Sequence, residues 1–257
     1  MQSFEKRIES LDPSLFEAIP SQTSDEDRAS LLKLQHLVRN SGPYIYLEIG
    51  SHLGGTIQPH YADPLCQMIV SIDKRPLSQP DERGINFEYH NNSTDRMLNC
   101  LQNAFPEIHI NKIRTYDCES CSVGGSEMSQ KPDLLFIDGE HTNRAVYSDF
   151  MFCVDVCDHN AIIALHDATV IFKGIHNIKK YLIDKSIRFK GIMLGGSVYA
   201  VLFNHAIEMY AGSLEIFKQN EAEVFSRAKT DLFRMRLRNK RPTIRKFYNF
   251  ILKGRNG

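Results

Sequence analysis

The chain has 257 residues, 42% hydrophobic and 24% charged, with a formal net charge of zero. This is ample for one sizeable core, and it excludes a disordered, collagen-like or disulfide-scaffold protein. Apolar runs such as Gly191 to Leu194 and Val198 to Phe203 fall short of the roughly 20 residues that span a bilayer. The N-terminus lacks the basic-then-apolar order of a signal peptide, so a cytoplasmic location is expected.

Three regions are expected along the chain: a helical segment 1–40, an α/β core 41–205 and a helical, basic extension 206–257. In the first, Leu31, Leu32, Leu34, Leu37 and Val38 recur at helical spacing after a Ser24 cap, and Ser41-Gly42-Pro43 ends the helix. Strands are then expected at Tyr44 to Ile49, Met68 to Ile72, Ile108 to Tyr116, Leu134 to Ile137 and Ala161 to Leu165. Helices are expected at Ser93 to Phe105, Arg144 to Val156 and Ile175 to Lys185. Two further strands, Phe189 to Met193 and Val198 to Phe203, are too close for a crossover and read as an antiparallel pair. Alternating strands and helices predict a doubly wound, Rossmann-like α/β sheet, mostly parallel.

In such sheets ligands lie outside the carboxyl ends of the strands. Five expected strands end there in chemistry-bearing residues: Glu48/Gly50, Asp73, Asp117, Asp138 and His166-Asp167. Gly50 permits a tight turn and close backbone approach, and Gly54 and Gly55 open the next segment. Neither GxGxxG nor GxxxxGKS/T occurs. Asp73 ends the second strand, where an acid accepts hydrogen bonds from ribose hydroxyls. Asp138 and Asp167, at neighbouring strand ends, either converge on one hard cation such as magnesium or cap helices. His141 is the leading general-base candidate and His166 the second, because imidazole titrates near neutral pH. Asp149 falls within a helix and reads as structural.

Together EIGSHLGG, SID, FIDGEHTNRAVYSDF and AIIALHDA resemble the class I S-adenosylmethionine-dependent methyltransferases, over roughly residues 44–203. The nearer resemblance is to the branch that methylates hydroxyls of sugars and small natural products. It implies a sheet of about seven strands with the last one antiparallel. It also implies that Glu48, Gly50 and Ser51 line the methionine side of the cofactor, with Gly54 and Asp138 among the further cofactor-binding residues. Asp73 would bind the ribose and Asp117 would lie by the adenine. Metal-dependent members have ligands at positions resembling Asp138 and Asp167, with a further acid or amide beside the second. Here the neighbours of Asp167 are His166 and Ala168, a departure from that pattern.

The activity implied is methyl transfer from S-adenosylmethionine to a hydroxyl of a sugar, glycoconjugate or small molecule. Two alternatives stay open: a methyltransferase-like binding module without catalysis, and a nicotinamide oxidoreductase, against which the missing GxGxxG counts. Cys118/Cys121 and Cys153/Cys157 formally allow zinc, but Cys153 and Cys157 fall in an apolar helical segment and read as buried thiols. From Arg227 onward there are eleven Lys or Arg and one acid, Asp231, interleaved with apolar residues and divided by Pro242. A basic amphipathic helix of this kind either lies on an anionic membrane surface or packs on the domain; nucleic acid is not an expected partner.

Overall fold

The computed structural model describes residues 3–125, 128 and 130–240. The N-terminal segment holds helices α1 (Phe4–Glu9) and α2 (Asp25–Arg39). The start of α2 is set by a capping box. The Ser24 side chain accepts from the Asp27 N–H while the Asp27 carboxylate accepts from the Ser24 N–H, and three acids fill the first turn, where the helix dipole favours negative charge.

The core runs β1 (Tyr44–Ile49), α3 (Gln58–Ala62), β2 (Cys66–Ile72), β3 (Ser78–Asp81), β4 (Ile85–Glu88), α4 (Thr94–Ala104), β5 (Ile113–Tyr116) and β6 (Leu134–Ile137). It continues with α5 (Asn143–Val156), β7 (Ile162–Leu165), α6 (Phe172–Asp184), β8 (Phe189–Met193) and β9 (Tyr199–Phe203). Helices α7 (His205–Leu214) and α8 (Glu221–Lys240) follow. The sheet has seven strands in the order β5-β2-β1-β6-β7-β9-β8. Only β9 runs against its neighbours, because five residues between β8 and β9 leave no room for a crossover.

The strands are short and apolar because both faces of the sheet are covered. Along β1, β6 and β7, Tyr44, Tyr46, Leu134, Phe136, Ile162 and Ala164 join the cluster with α2 and α7. The alternate residues Leu47, Ile49, Leu135, Ile137, Ile163 and Leu165 join the one with α5, α6 and α8. Each Leu or Ile buried in this way contributes roughly 1.5–3 kcal/mol. No described helix is long and apolar enough to cross a membrane.

Two expectations need correction. The strand expected over Ile108 to Tyr116 is Ile113–Tyr116 alone, preceded by a 3-10 turn at Ile110–Lys112. Here the backbone is pinned against α3, with the Tyr61 hydroxyl donating to the Ile108 carbonyl and Lys112 Nζ donating to the carbonyls of His60 and Tyr61. The antiparallel hairpin β3–β4 was not expected at all. Its loop, Glu82-Arg83-Gly84, is closed by the Gly84 N–H donating to the Asp81 carbonyl, with Gly84 at φ +77°. Asp81 also caps its own turn, accepting from the Arg83 N–H at 2.6 Å. The Asp-x-x-Gly run was the readable signal, masked by Pro80 inside a strand. The second helical piece expected after Pro242 lies outside the described residues.

Candidate active site

The ends of β1, β2 and β6 meet at Gly50. Its N–H donates to Ile72 O at 2.8 Å, and the Asp138 N–H donates to Ile49 O at 2.8 Å. Gly50 has φ +91°, and a Cβ there would lie 2.2 Å from the Asp138 carbonyl oxygen. This turn opens two cavities that share Gly50, Asp73 and Gln79. The larger, about 440 Å3, runs past Lys74, Ser120 and Asp149. The narrower one leads past Ser51, Tyr89, Asp138 and His141 to the loop Pro20–Gln22.

Asp73 is buried and lines both cavities. Its Oδ2 accepts from the His52 N–H at 2.9 Å and its Oδ1 from the Arg75 N–H at 2.8 Å, so two backbone donors fix the carboxylate. Ser51, expected on the methionine side, lines the narrower cavity, its hydroxyl accepting from Ser71 Oγ at 2.8 Å.

Three cofactor expectations fare differently. Glu48 is fully buried behind the cavity wall, accepting from the Tyr46 hydroxyl at 2.5 Å and from Thr56 Oγ1 at 2.7 Å. Burial pushes its carboxyl up to about 8, against the pull of those two donors. Gly54 faces the other way, toward Met97 and Leu101 of α4, and is a turn residue at φ +83°. Asp117 is exposed, tied to the Thr94 hydroxyl, and lines neither cavity. Ser120 lines the larger cavity and donates to Asp149 Oδ1 at 2.6 Å. Asp149, read from sequence as structural, thus lines the larger cavity, and burial raises its carboxyl to about 6.

At the rim, Asp138 Oδ1 contacts His166 Nδ1 at 2.8 Å and His141 Nε2 at 3.4 Å. Behind it, His166 Nε2 lies 3.4 Å from Asp27 Oδ2, a carboxylate from the N-terminal segment. His166 is therefore a buried support of Asp138 and does not line the cavity. On the far side, His141 Nδ1 lies 3.1 Å from Asp81 Oδ2 and 3.2 Å from Asp167 Oδ2. Arg83 completes the group: its Nε and Nη2 grip Asp81 at 2.8 and 2.7 Å, and Nη2 also reaches Asp167 Oδ2 at 3.0 Å.

These contacts set the charge states. Burial disfavours a charged His141, but hydrogen bonds to Asp138 and Asp81 and the charge of Asp167 outweigh it and lift the imidazole to about 9. Burial likewise opposes the charge on His166, and Asp138 raises it well above the usual imidazole range. Asp138 is desolvated too, yet its two imidazole partners bring it down to about 2.

The expected metal pair, Asp138 and Asp167, is not assembled. The two fall in different triads, Asp138–His141–His166 and Asp81–His141–Asp167, and each is engaged by cationic side chains. The rim residues present do not fit a resident magnesium ion. The cysteines form no disulfide, and no cysteine belongs to either cluster of potential metal ligands among the described residues. Asp27, Asp81 and Arg83 were missed from sequence, because each comes from a segment distant from the strand ends it serves.

Residues 47–168 match the sequence model of a methyltransferase domain. Several solved structures share the fold. The O-methyltransferase TomG from Streptomyces achromogenes, involved in tomaymycin synthesis and solved with S-adenosylmethionine, is 14% identical, with a TM-score of 0.50, covering 79% of this chain and 91% of that one. An O-methyltransferase from Bacillus cereus, solved with S-adenosylhomocysteine, is 12% identical, with a TM-score of 0.50 and coverage of 79% and 92%. The O-methyltransferase NovP is 11% identical, with a TM-score of 0.51 and coverage of 77% and 80%. At such identities the likeness is one of fold. No curated sequence matches the chain.

Proposed function

We propose that this chain, whose residues 47–168 match a methyltransferase domain, is a class I S-adenosylmethionine-dependent methyltransferase that methylates a hydroxyl oxygen of a small molecule, a sugar or glycoconjugate being the favoured class. The observation that carries the reading is Asp73. Its backbone-fixed carboxylate stands where a cavity large enough for an adenosine group meets a narrow cleft ending in a charged rim.

The cofactor fits the residues present. Gly50 leaves a cradle that a Cβ would fill. Asp73 would accept from ribose hydroxyls, Ser51 and Asp138 would flank the methionine side, and Ser120 with Asp149 would face the adenine. When bound, S-adenosylmethionine supplies an electrophilic methyl carbon to an oxygen nucleophile. The chain's own contribution is to hold two reactants in line, which removes much of the entropic barrier.

His141 is the residue that takes the acceptor proton, with Asp138 orienting it and His166 bracing Asp138. Asp81, Asp138 and Asp167 face this imidazole, and Arg83 touches it. Since the carboxylates keep it protonated to about 9, its neutral form grows as pH rises toward that value. Activity is therefore expected to climb with pH over that range, and full activity in His141→Ala would remove this role.

Calorimetry tests the cofactor assignment. The wild type is expected to bind S-adenosylmethionine and S-adenosylhomocysteine. Asp73→Ala should weaken binding by on the order of 1.5–3 kcal/mol, the worth of a charge-assisted hydrogen bond. Equal affinities, or no binding by either protein, would sink the assignment.

A further inference from the structure

Arg83 is not needed to build the sheet, yet its guanidinium is drawn into the rim from the tip of a hairpin that joins no other strand among the described residues. Two anchors hold that tip. Arg236 of α8 donates to the carbonyl and the carboxylate of Glu82, and Asn239 Nδ2 donates to the Arg83 carbonyl at 2.8 Å. The guanidinium then places Nη2 at 2.7 Å from Asp81 Oδ2, 3.0 Å from Asp167 Oδ2 and 3.2 Å from His141 Nδ1.

Those three potential ligand atoms have a particular spacing. His141 Nδ1 is 3.1 Å from Asp81 Oδ2 and 3.2 Å from Asp167 Oδ2. An octahedral ion with bonds of roughly 2.1 Å holds cis donors about 3.0 Å apart. Each carboxylate has that cis spacing from the imidazole, all three ligand atoms lie within 4.8 Å of one another, and the donor set suits first-row divalent ions. Arg83 Nη2 lies against all three atoms.

We propose that Arg83 is a resident cation plugging a latent divalent-metal site formed by Asp81, His141 and Asp167. The positive charge at the acceptor rim is thereby built into the chain, and no ion from solution is required. The plug is a bidentate fork on Asp81 with a further bond to Asp167, an arrangement that a guanidinium makes and an ammonium does not. Removing it leaves two carboxylates with one cationic neighbour fewer, around an opening of the size of the departed nitrogen. Loss of the guanidinium therefore converts the site from one that excludes divalent ions into one that binds them.

The inference concerns the same rim as the proposed methyl transfer, but its test needs neither cofactor nor turnover, so the two readings fail separately. The full chain is titrated with Mn2+ alone, and free Mn2+ is followed by electron paramagnetic resonance. Wild type is expected to bind no Mn2+ at this site at millimolar concentrations. Arg83→Ala is expected to bind one ion over the same concentration range, so that free Mn2+ falls measurably below the wild-type curve. Adding Asp167→Asn should abolish that binding. Arg83→Gln keeps much of the side-chain volume without the charge, and should behave as Arg83→Ala does if the smaller variant fails to fold. Equal Mn2+ affinity in wild type and both variants would overturn the proposal. So would a tight wild-type Mn2+ site that disappears in Asp167→Asn.

Discussion

The two halves of the cleft are held together by different forces. On the half proposed to hold the cofactor, Gly50 and Asp73 are placed by backbone hydrogen bonds between adjacent strand ends, within 24 residues of contiguous sequence. On the half proposed to face the acceptor, Asp27, Asp81, Arg83, Asp138, His141, His166 and Asp167 come from the N-terminal helix, a hairpin and two strand ends, and hold one another by charge. The first half tolerates no added atom. The second tolerates no change of charge.

The largest expected effect tests the first statement. Gly50→Ala puts a methyl group 2.2 Å from the Asp138 carbonyl in a left-handed conformation. Conformational strain and forced backbone displacement together should cost on the order of 5 kcal/mol, close to the stability of many domains. Gly54→Ala shares the positive φ but meets only the Met97 and Leu101 side chains, at 3.3 Å or more, so about 1–2 kcal/mol is expected. Urea unfolding of both variants measures the contrast. Equal losses would mean that the strand junction is no tighter than an ordinary turn.

The next effect exploits opposite responses to pH. Glu48, beneath the cofactor half, has its carboxyl raised from 4.5 to about 8 by burial. The unfolded chain ionises this group first, so its contribution to stability falls as pH rises from 4.5 through about 8, and is unaffected below that window. At 1.36 kcal/mol per unit, roughly 3 kcal/mol should be lost between about pH 5 and pH 7.5. The acceptor half runs the other way. Burial opposes ionisation of Asp81, but His141 and Arg83 hold its carboxyl well below its usual range, so its contribution is lost only as pH falls below 4. Glu48→Gln should flatten the fall of unfolding free energy above pH 5. A slope unchanged from wild type would show that Glu48 is ionised in the fold.

The same contrast explains what the sequence made legible. The five central strands and the seven-stranded sheet follow from short apolar runs with polar ends, and the turn at Gly50 from a glycine directly after a strand. Asp73 was readable because its distance from Gly50 is one βαβ unit. Asp117 was misplaced because strand-end position alone does not say whether a side chain turns inward; Thr94 draws it out to solvent. Arg83 and Asp27 carried no such positional clue. Asp27 looks like an ordinary N-terminal helix acid until the fold carries it to Ser197, whose N–H it accepts at 2.7 Å, and to His166. Contacts made across 139 and 170 residues have no local pattern, whereas strand–turn–helix motifs do.

The smallest effect asks whether the charged half depends on its distant clasp. Arg236 and Glu82 form a partly exposed pair, with side chains 32% and 20% accessible, so Arg236→Ala should cost only about 0.5–1 kcal/mol of global stability. Its local consequence is larger, because the hairpin joins no other strand and α8 holds its tip. Loosening the tip should free the Arg83 peptide for trypsin while the sheet stays folded. Cleavage after Arg83 is expected to accelerate several-fold in Arg236→Ala, with a melting temperature within a few degrees of wild type, and saturating S-adenosylmethionine should leave that acceleration in place, since the clasp lies outside both cofactor cavities. Cleavage at the wild-type rate would show that Asp81 and Asp167 alone keep Arg83 seated. The acceptor half would then be a self-contained ionic cluster, and α8 a neighbour without a role in holding it.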